Sequence, residues 1–178
     1  MRKICVFIGS RANYSSIKSV MRAIREHPDL ELQVVAGASA LLERFGKVKD
    51  LIIKDGFSPD YTFHNIVEGE NPTTMAKSTG LGIIEMAMVL DNLKPDFVVV
   101  VGDRFEMMAI TIAMSKVSKQ FLFLAIRMQC YSIPFRIFKD SHITMIGRNL
   151  SFRDRNCSTS CFNFIKGLNH PDYRTHKP

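Results

Sequence analysis

The residues best placed for chemistry are Asp103 and Arg104, which follow Gly102 and the apolar run Phe97–Val101. Five β-branched or aromatic residues in succession are typical of a buried strand in a parallel sheet. Ligands of open α/β sheets bind at the carboxyl ends of the strands, where a carboxylate and a guanidinium can serve proton transfer and phosphate binding. The alternative is that Asp103 only caps the helix predicted from Arg104 to Ser115.

A second candidate site follows the first apolar run, where the chain reads Gly-Ser-Arg-Ala-Asn-Tyr-Ser from Gly9 to Ser15. Small residues let the backbone approach a ligand, and a helix N-terminus offers free N–H groups to an anion. Arg11 can hold a diphosphate through two parallel hydrogen bonds, and Ser15 adds a hydroxyl one turn later. The alternative is that Ser10 or Asn13 caps the helix and Arg11 is solvated. The segment has neither the Gly-Lys-Ser/Thr ending of a P-loop nor a Gly-x-Gly-x-x-Gly turn, which disfavours nicotinamide cofactors.

The elements that must position these residues alternate between strands and helices. Apolar patterning predicts strands at Lys3–Ile8, Glu31–Ala36, Tyr61–Ile66, Val98–Val101 and Phe121–Ile126, and helices at Tyr14–Glu26, Ser39–Gly56, Met75–Leu93 and Arg104–Ser115. Thr73 or Thr74 is expected to cap the third helix, and close packing against the sheet is expected to explain Gly80 and Gly82 inside it. The alternation predicts an α/β fold with a doubly wound parallel sheet and right-handed crossovers.

Composition divides the chain at about residue 118. Residues 1–118 carry 14 Lys+Arg and 14 Asp+Glu, whereas residues 119–178 carry 10 basic residues and three acids, so the whole net charge of +7 lies in this tail. One explanation is a basic extension that binds an acidic partner such as nucleic acid or a membrane surface. The other is that the tail is not the sequence with which the fold evolved, for example after a frameshift. The second is favoured, because the basic residues follow no sustained period. We therefore expect a domain at 1–118 and an irregular, divergent basic tail at 119–178.

Other features narrow the class of protein further. No apolar run reaches the roughly 18 residues that span a membrane, and the N-terminus is typical of a first strand rather than of a signal peptide. Cys5 is expected to be a buried hydrophobe, and nothing suggests a disulfide framework, so a cytoplasmic location is the expectation.

The spacing of cysteine and histidine from Cys157 to His176 is superficially similar to a Cys2His2 zinc finger. Its central interval is too short and the apolar helix residues are absent, so no metal is expected.

Three segments, Gly9–Ser16, Asn71–Gly82 and Gly102–Glu106, together resemble those of the sugar-nucleotide 2-epimerases. The closest similarity is to the hydrolysing UDP-N-acetylglucosamine 2-epimerases of sialic and legionaminic acid synthesis, and it covers about residues 1–115. The resemblance implies a GT-B arrangement, in which two Rossmann-like domains hold the substrate in the cleft between them. The described sequence would then supply the N-terminal half.

The resemblance also implies roles for four residues. Arg11, Ser15 and Arg104 would contact the UDP moiety, and Asp103 would take part in the acid/base steps. The family reaction eliminates UDP from UDP-GlcNAc to give a glycal and then adds water to yield N-acetylmannosamine. Such chemistry suits a tuned carboxylate and cations on the leaving diphosphate, without a metal or other cofactor. The implied partner is a UDP-sugar, with homo-oligomerisation of the full-length protein as a further implication; nucleic acid and membrane are disfavoured.

The sequence also departs from the family pattern. The family continues after Gly-Asp-Arg-Phe-Glu with a Gly-Gly-Glu segment, an acidic helix bearing histidine and a second domain, and neither motif occurs here. One half of a cleft cannot pre-organise the site, so this polypeptide alone is expected to bind UDP weakly and to turn over no substrate. Two alternatives stay open: a non-catalytic sugar-nucleotide or nucleic-acid binding module with a basic tail, and a fragment of a GT-B glycosyltransferase. The choice between a UDP and a GDP sugar also stays open.

Overall fold

A computed structural model describes residues 1–102, 104–117 and 122–124. Their elements are, in chain order, β1 (Arg2–Ile8), α1 (Arg11–Glu26), β2 (Leu30–Gly37), two 3-10 turns (Ala38–Leu41 and Glu43–Phe45), α2 (Val48–Lys54), β3 (Tyr61–Phe63), α3 (Pro72–Leu93), β4 (Phe97–Val101), α4 (Phe105–Val117) and β5 (Leu122–Leu124). The candidate Asp103 lies outside the described residues. So does nearly all of the tail, including the spacing from Cys157 to His176.

The strands form one parallel sheet in the order β3-β2-β1-β4-β5. β1 pairs along its whole length with β2, from Arg2 opposite Leu30 to Ile8 opposite Ala36, and β4 joins its other side. Helices α1 and α2 cover one face of the sheet, and α3 and α4 cover the other. The predicted α/β fold with a doubly wound parallel sheet is therefore confirmed.

The central strand β1 is buried on both faces, which explains its unbroken apolar sequence. Ile4, Val6 and Ile8 pack in the core beneath α1 and α2. Cys5 and Phe7 point to the opposite core, beneath α3 and α4. Burial raises the pKa of the Cys5 thiol to about 12, so Cys5 is the buried hydrophobe that the sequence predicts.

The prediction of one continuous helix from Ser39 to Gly56 is wrong. Two 3-10 turns occupy its first part, and α2 begins only at Val48. Between them Gly46 and Lys47 adopt left-handed backbone, with φ of 82° and 39°, which a right-handed helix cannot include. Apolar periodicity persists across this break because the side chains still face the core.

Helix α3 begins three residues earlier than predicted, and neither Thr73 nor Thr74 is its cap. Asn71 is the N-cap: its Oδ1 accepts from the backbone N–H of Thr74 at 3.0 Å. In return the N–H of Asn71 donates to Oγ1 of Thr74 at 3.1 Å, and Pro72 occupies the first turn. Thr74 is thus the reciprocal partner in a capping box, which satisfies two backbone donors.

Close packing explains one glycine of α3 but not the other. A Cβ on Gly82 would lie 2.9 Å from Nδ2 of Asn65 and 3.1 Å from Cβ of Ala109. The close neighbours are therefore α4 and the loop after β3, rather than the sheet as predicted. A Cβ on Gly80 would meet nothing within 4 Å, so the expected packing constraint does not apply there.

Asp55 ties α1 to the end of α2. Its Oδ2 accepts from the hydroxyl of Tyr14 at 2.7 Å and lies 2.6 Å from Nζ of Lys18. The hydrogen bonds from Lys18 and then Tyr14 hold the pKa of the Asp55 carboxyl below its ordinary value. Burial and the bond to Asp55 raise the pKa of Tyr14, so its hydroxyl stays a donor at neutral pH.

We expect the Asp55→Asn variant to lose the stability that the ionised Asp55 carboxylate supplies near neutral pH. Its unfolding free energy should therefore depend less on pH in the acidic range. A carboxyl whose pKa is depressed on folding stabilises the native state above the ordinary aspartate pKa of about 4, and this contribution is lost as the pH falls through the native pKa. Urea unfolding from about pH 2 to pH 7 should show a shallower acid limb for Asp55→Asn than for wild type. Asn in place of the exposed Asp50 on the same helix is the matched control. Parallel acid limbs for wild type and Asp55→Asn would contradict the assignment.

Candidate functional site

The bends that follow β1 and β4 lie side by side at the carboxyl edge of the sheet. The strands are parallel neighbours that pair from Ile4 opposite Phe97 to Val6 opposite Val99, and the same register continued along the chain brings Gly9 level with Gly102. Asn13, in the first turn of α1, joins the bends because its Nδ2 donates to the carbonyl of Val101 at 2.6 Å. The two segments singled out in the sequence therefore lie next to one another.

The two bends approach each other closely, and the backbone conformation of one of them requires glycine at residue 102. Gly102 has a φ of +124°, and a Cβ there would lie 2.8 Å from Nδ2 of Asn13. A Cβ on Gly9 would lie 2.6 Å from Cε of Met107 and 3.4 Å from Oδ1 of Asn13. Asn13 is only 6% exposed, and its Oδ1 has no hydrogen-bond partner in the part of the chain that the structure describes. The bends thus pack around one buried amide.

The bend after β2 is attached to the same edge. The hydroxyl of Ser39 donates to the carbonyl of Gly9 at 2.8 Å, and the N–H of Ala40 donates to the same oxygen at 3.1 Å. Ala38 has a left-handed φ of 50°, a conformation that costs a non-glycine residue about 1 kcal/mol or more. Its N–H donates to Oδ1 of Asn65 at 3.0 Å, which links this bend to the loop after β3.

Arg11 and Ser15 lie on the exposed side of the first turns of α1. Ser10 is the N-cap, and its Oγ accepts from the N–H of Asn13 at 3.3 Å; this capping leaves Arg11 at the solvent-facing start of the helix. The Ser15 hydroxyl donates to the carbonyl of Arg11 at 3.0 Å, so its proton is used within the helix while its oxygen can still accept.

A cavity of about 240 Å³ opens beside Arg11. Its walls combine three cations, one carboxylate and apolar or small groups: Arg11, Lys47, Lys54, Asp50, Gly46, Val48 and Leu51. Nη1 of Arg11 lies 3.7 Å from the position that a Cβ on Gly46 would take, so the guanidinium extends from α1 toward α2. The excess of positive charge suits an anion.

Arg104 is oriented by Glu106, a partner that sequence reasoning did not assign. Nε of Arg104 donates to Oε2 at 3.1 Å, and Nη2 lies 2.9 Å from Oε1, with side-chain exposures of 51% for the arginine and 1% for the glutamate. The contact between Nη2 and Oε1 is an ion pair but not a hydrogen bond, since Oε1 has no hydrogen-bond partner among the described residues. A glutamate in the first turn of α4 also interacts favourably with the helix dipole.

The structure brings together the two bends that carry the predicted residues. The described side chains of those residues do not converge on one point. Arg11 and Arg104 stand at the starts of α1 and α4, one extending toward α2 and the other held by Glu106. Asp103 lies outside the described residues. The ligand roles of Arg11, Ser15, Asp103 and Arg104 stay predictions.

A parallel sheet in the order β3-β2-β1-β4-β5, with helices on both faces and tight bends at its carboxyl edge, defines a Rossmann-like α/β domain, a fold that commonly binds nucleotides at this edge. The family model for UDP-N-acetylglucosamine 2-epimerase matches residues 22–120, more than half of the chain. The chain therefore belongs to the UDP-N-acetylglucosamine 2-epimerase family, which confirms the resemblance found in the sequence.

Three curated relatives show how far the similarity extends. The UDP-N-acetylglucosamine 2-epimerase of Neisseria meningitidis serogroup B is 28% identical over 109 residues, which are 61% of this chain and 28% of the relative. The hydrolysing GDP/UDP-N,N'-diacetylbacillosamine 2-epimerase of Campylobacter jejuni is 29% identical over the same shares. The polysialic acid biosynthesis protein P7 of Escherichia coli is 25% identical over 65% of this chain and 29% of the relative. The chain thus spans less than a third of the length of these relatives.

Solved structures share the fold. The UDP-GlcNAc 2-epimerase of Neisseria meningitidis bound to UDP-GlcNAc aligns with a TM-score of 0.56 at 22% identity, over 69% of this chain and 31% of that one. The enzyme of Methanocaldococcus jannaschii in complex with UDP-GlcNAc and UDP aligns with a TM-score of 0.57 at 24% identity, over 68% and 32%. Within the described ranges, no helix has the length and apolar character needed to cross a membrane.

Proposed function

We propose that this chain provides the N-terminal, diphosphate-binding part of a hydrolysing UDP-GlcNAc 2-epimerase, which converts UDP-GlcNAc to N-acetylmannosamine and UDP for sialic acid-type sugar synthesis. The hydrogen bond from Asn13 to Val101 carries the proposal, because it holds the bends after β1 and β4 against one another. The hydrolysing relative from Campylobacter jejuni supports the subtype. The end of the family match at residue 120 supports the division into a domain at 1–118 and a divergent tail.

The diphosphate is assigned to the cationic starts of α1 and α4. Arg11 and Arg104 neutralise the charge that develops on the departing UDP, and the exposed N-terminus of α1 adds its helix dipole. Glu106 supports the role of Arg104, since a bound carboxylate fixes the plane of the guanidinium while half of the side chain stays exposed. Ser15 contributes a hydroxyl oxygen on the same side of α1 as Arg11.

Asp103 is assigned a part in the proton transfers. Elimination of UDP to a glycal requires a base that removes the proton at C2 of the sugar, and inversion at C2 requires that the proton returned during addition of water reach the opposite face. Asp103 is assigned one of these two transfers, and a group on the other face of the sugar must perform the other. The position of Asp103 in the chain, directly after Gly102, supports this role because Gly102 lies at the bend beside Asn13.

We expect UDP to raise the melting temperature of this chain and Arg11→Ala to remove half or more of that increase. A charge-assisted hydrogen bond contributes about 1.5–3 kcal/mol, so the variant should bind UDP roughly 10- to 100-fold more weakly. At a concentration of 100 times the wild-type Kd, UDP should stabilise the wild type by about 2.7 kcal/mol, and differential scanning fluorimetry measures the loss.

Arg22→Ala is the matched control, because Arg22 is an exposed residue of the same helix far from its N-terminus. It should retain the full UDP-induced shift. GDP, uridine and inorganic phosphate, tested in parallel, separate recognition of the base from recognition of the phosphates. An equal UDP-induced shift in Arg11→Ala and wild type would contradict the proposed site.

A further inference from the structure

Asn65, in the loop after β3, joins the bend after β2 to helix α3. The residue is 1% exposed, and both ends of its side-chain amide are engaged. Oδ1 accepts from the N–H of Ala38 at 3.0 Å, and Nδ2 donates to the carbonyl of Ser78 on α3 at 3.4 Å. A buried amide that is bonded at both ends fixes the two segments relative to one another.

Helix α3 determines where this amide lies. A Cβ on Gly82 would come within 2.9 Å of Nδ2 of Asn65, so the helix leaves just enough room for the side chain. The hydroxyl oxygen of Ser78, which is itself 1% exposed, accepts from the N–H of Val67 at 2.9 Å and attaches the same loop to α3 a second time. The position of the acceptor for Ala38 is therefore set by α3.

Ala38 needs that acceptor to keep its backbone conformation. Its φ is +50°, and alanine disfavours the left-handed region by a factor of about 10 or more. Ala38 is 1% exposed, so without Asn65 its N–H would be buried with no acceptor, which is a further cost. The bond from Asn65 therefore holds a residue that would otherwise favour right-handed or extended backbone.

The conformation of Ala38 decides whether the next two residues reach the candidate site. The hydroxyl of Ser39 and the N–H of Ala40 both donate to the carbonyl of Gly9, at 2.8 Å and 3.1 Å. Gly9 directly precedes Ser10, the N-cap of α1. A change of φ at Ala38 would swing both donors away from Gly9, so the contacts that begin at Asn65 end at the start of α1.

We propose that Asn65 is a positioning residue for diphosphate binding, acting through Ala38 and Gly9 on the first turn of α1. The inference rests on the proposed function, which assigns the diphosphate to the starts of α1 and α4. Without Asn65 only a fraction of the molecules has the native bend after β2. The apparent dissociation constant for UDP rises in inverse proportion to that fraction.

Asn65→Ala tests the proposal by two measurements. An amide ¹H–¹⁵N spectrum without ligand should show shifted signals for residues 9–12. A UDP titration should give a dissociation constant about tenfold above that of wild type. Gln33→Ala is the matched control, because Gln33 is 5% exposed and its Nε2 donates to the carbonyl of Leu93 at the other end of α3, at 3.2 Å. It should lose stability, yet leave residues 9–12 and UDP affinity unchanged.

Ala38→Gly in the Asn65→Ala background separates positioning from a general loss of stability. Glycine adopts left-handed backbone without a steric cost, so Ser39 and Ala40 can again reach Gly9. The double variant should return the dissociation constant for UDP to within about threefold of wild type, and the signals of residues 9–12 should return with it. Its urea midpoint should stay below that of wild type, because the N–H of residue 38 is still unpaired. A role in stability alone predicts no such recovery of affinity.

Gly82→Ala displaces Asn65 from the side of α3 and leaves the bend itself intact. Because alanine is favoured over glycine within a helix, this variant carries the test even if Asn65→Ala does not fold. We expect a rise of about threefold in the dissociation constant for UDP, whereas Gly80→Ala, whose Cβ would meet nothing within 4 Å, should bind as wild type does.

Unchanged signals of residues 9–12 and unchanged UDP affinity in Asn65→Ala or Gly82→Ala would overturn the proposal. So would a double variant in which affinity does not recover. A wild type that fails to bind UDP contradicts the proposed function instead. The spectra without ligand, and their reversal by Ala38→Gly, then still decide whether Asn65 positions the start of α1.

Discussion

The Gly102→Ala variant is expected to lose about 3 kcal/mol of folding free energy and most of its affinity for UDP. The φ of +124° at this position belongs to a region that is essentially restricted to glycine, and a side chain there costs about 1–3 kcal/mol. The added Cβ would also lie 2.8 Å from Nδ2 of Asn13. Either Asn13 gives up its bond to Val101 or the bend moves, and both changes separate the two halves of the site. Urea unfolding and a UDP titration measure the two effects.

Gly80→Ala is the control for this substitution. Its Cβ would meet nothing within 4 Å, and alanine is favoured over glycine inside a helix by about 0.5–1 kcal/mol. The variant should therefore be slightly more stable than wild type and bind UDP equally well. Wild-type stability in Gly102→Ala would show that the contact between the bends is not as close as described.

The Arg104→Ala variant is expected to lose roughly 2–3 kcal/mol of folding free energy, because it leaves the carboxylate of Glu106 buried without its cation. This loss is smaller than the roughly 3–5 kcal/mol typical of a fully buried pair, because the Arg104 side chain is half exposed to water. Pairing Arg104→Ala with Glu106→Gln removes the unpaired charge, and most of the stability should return. UDP affinity should not return, since the proposed phosphate contact of Arg104 is still missing.

The surface pair Arg44–Glu70, at 3.3 Å, provides the comparison. Arg44→Ala should cost less than about 1 kcal/mol, as exposed ion pairs do. Chemical unfolding of wild type, Arg104→Ala, the double variant and Arg44→Ala measures the structural role of Arg104 separately from its proposed ligand role. If Arg104→Ala and Arg44→Ala lose the same stability, the buried pair does not hold the start of α4.

The parts of the fold that the sequence predicts well are those with a single physical cause. β1 and β4 were predicted to within a residue at each end, because burial on both faces demands an unbroken apolar run. The starts of α1 and α3 were placed three residues late, because the caps Ser10 and Asn71 precede the first apolar side chain of each helix. The break before α2 depends on two left-handed residues that do not disturb the apolar pattern.

The candidate site also has features that the sequence predicts and features that only the structure shows. The two bends were predicted because glycine followed by charged residues at the end of a strand is a local signal. The Asn13 bond to Val101 joins residues 88 positions apart, so it could not be found before the strand order was known. The pair of Arg104 and Glu106 was present in the sequence as two opposite charges two positions apart, but only the burial of Glu106 shows that the pair is structural.

The central claim is that the bends after β1 and β4 bind one diphosphate together. An amide ¹H–¹⁵N correlation spectrum recorded during a UDP titration tests it most directly. We expect the amide signals of residues 9–12 and 102–105 to shift together and to follow one dissociation constant. Shifts confined to one of the two bends, or to residues elsewhere in the chain, would contradict it.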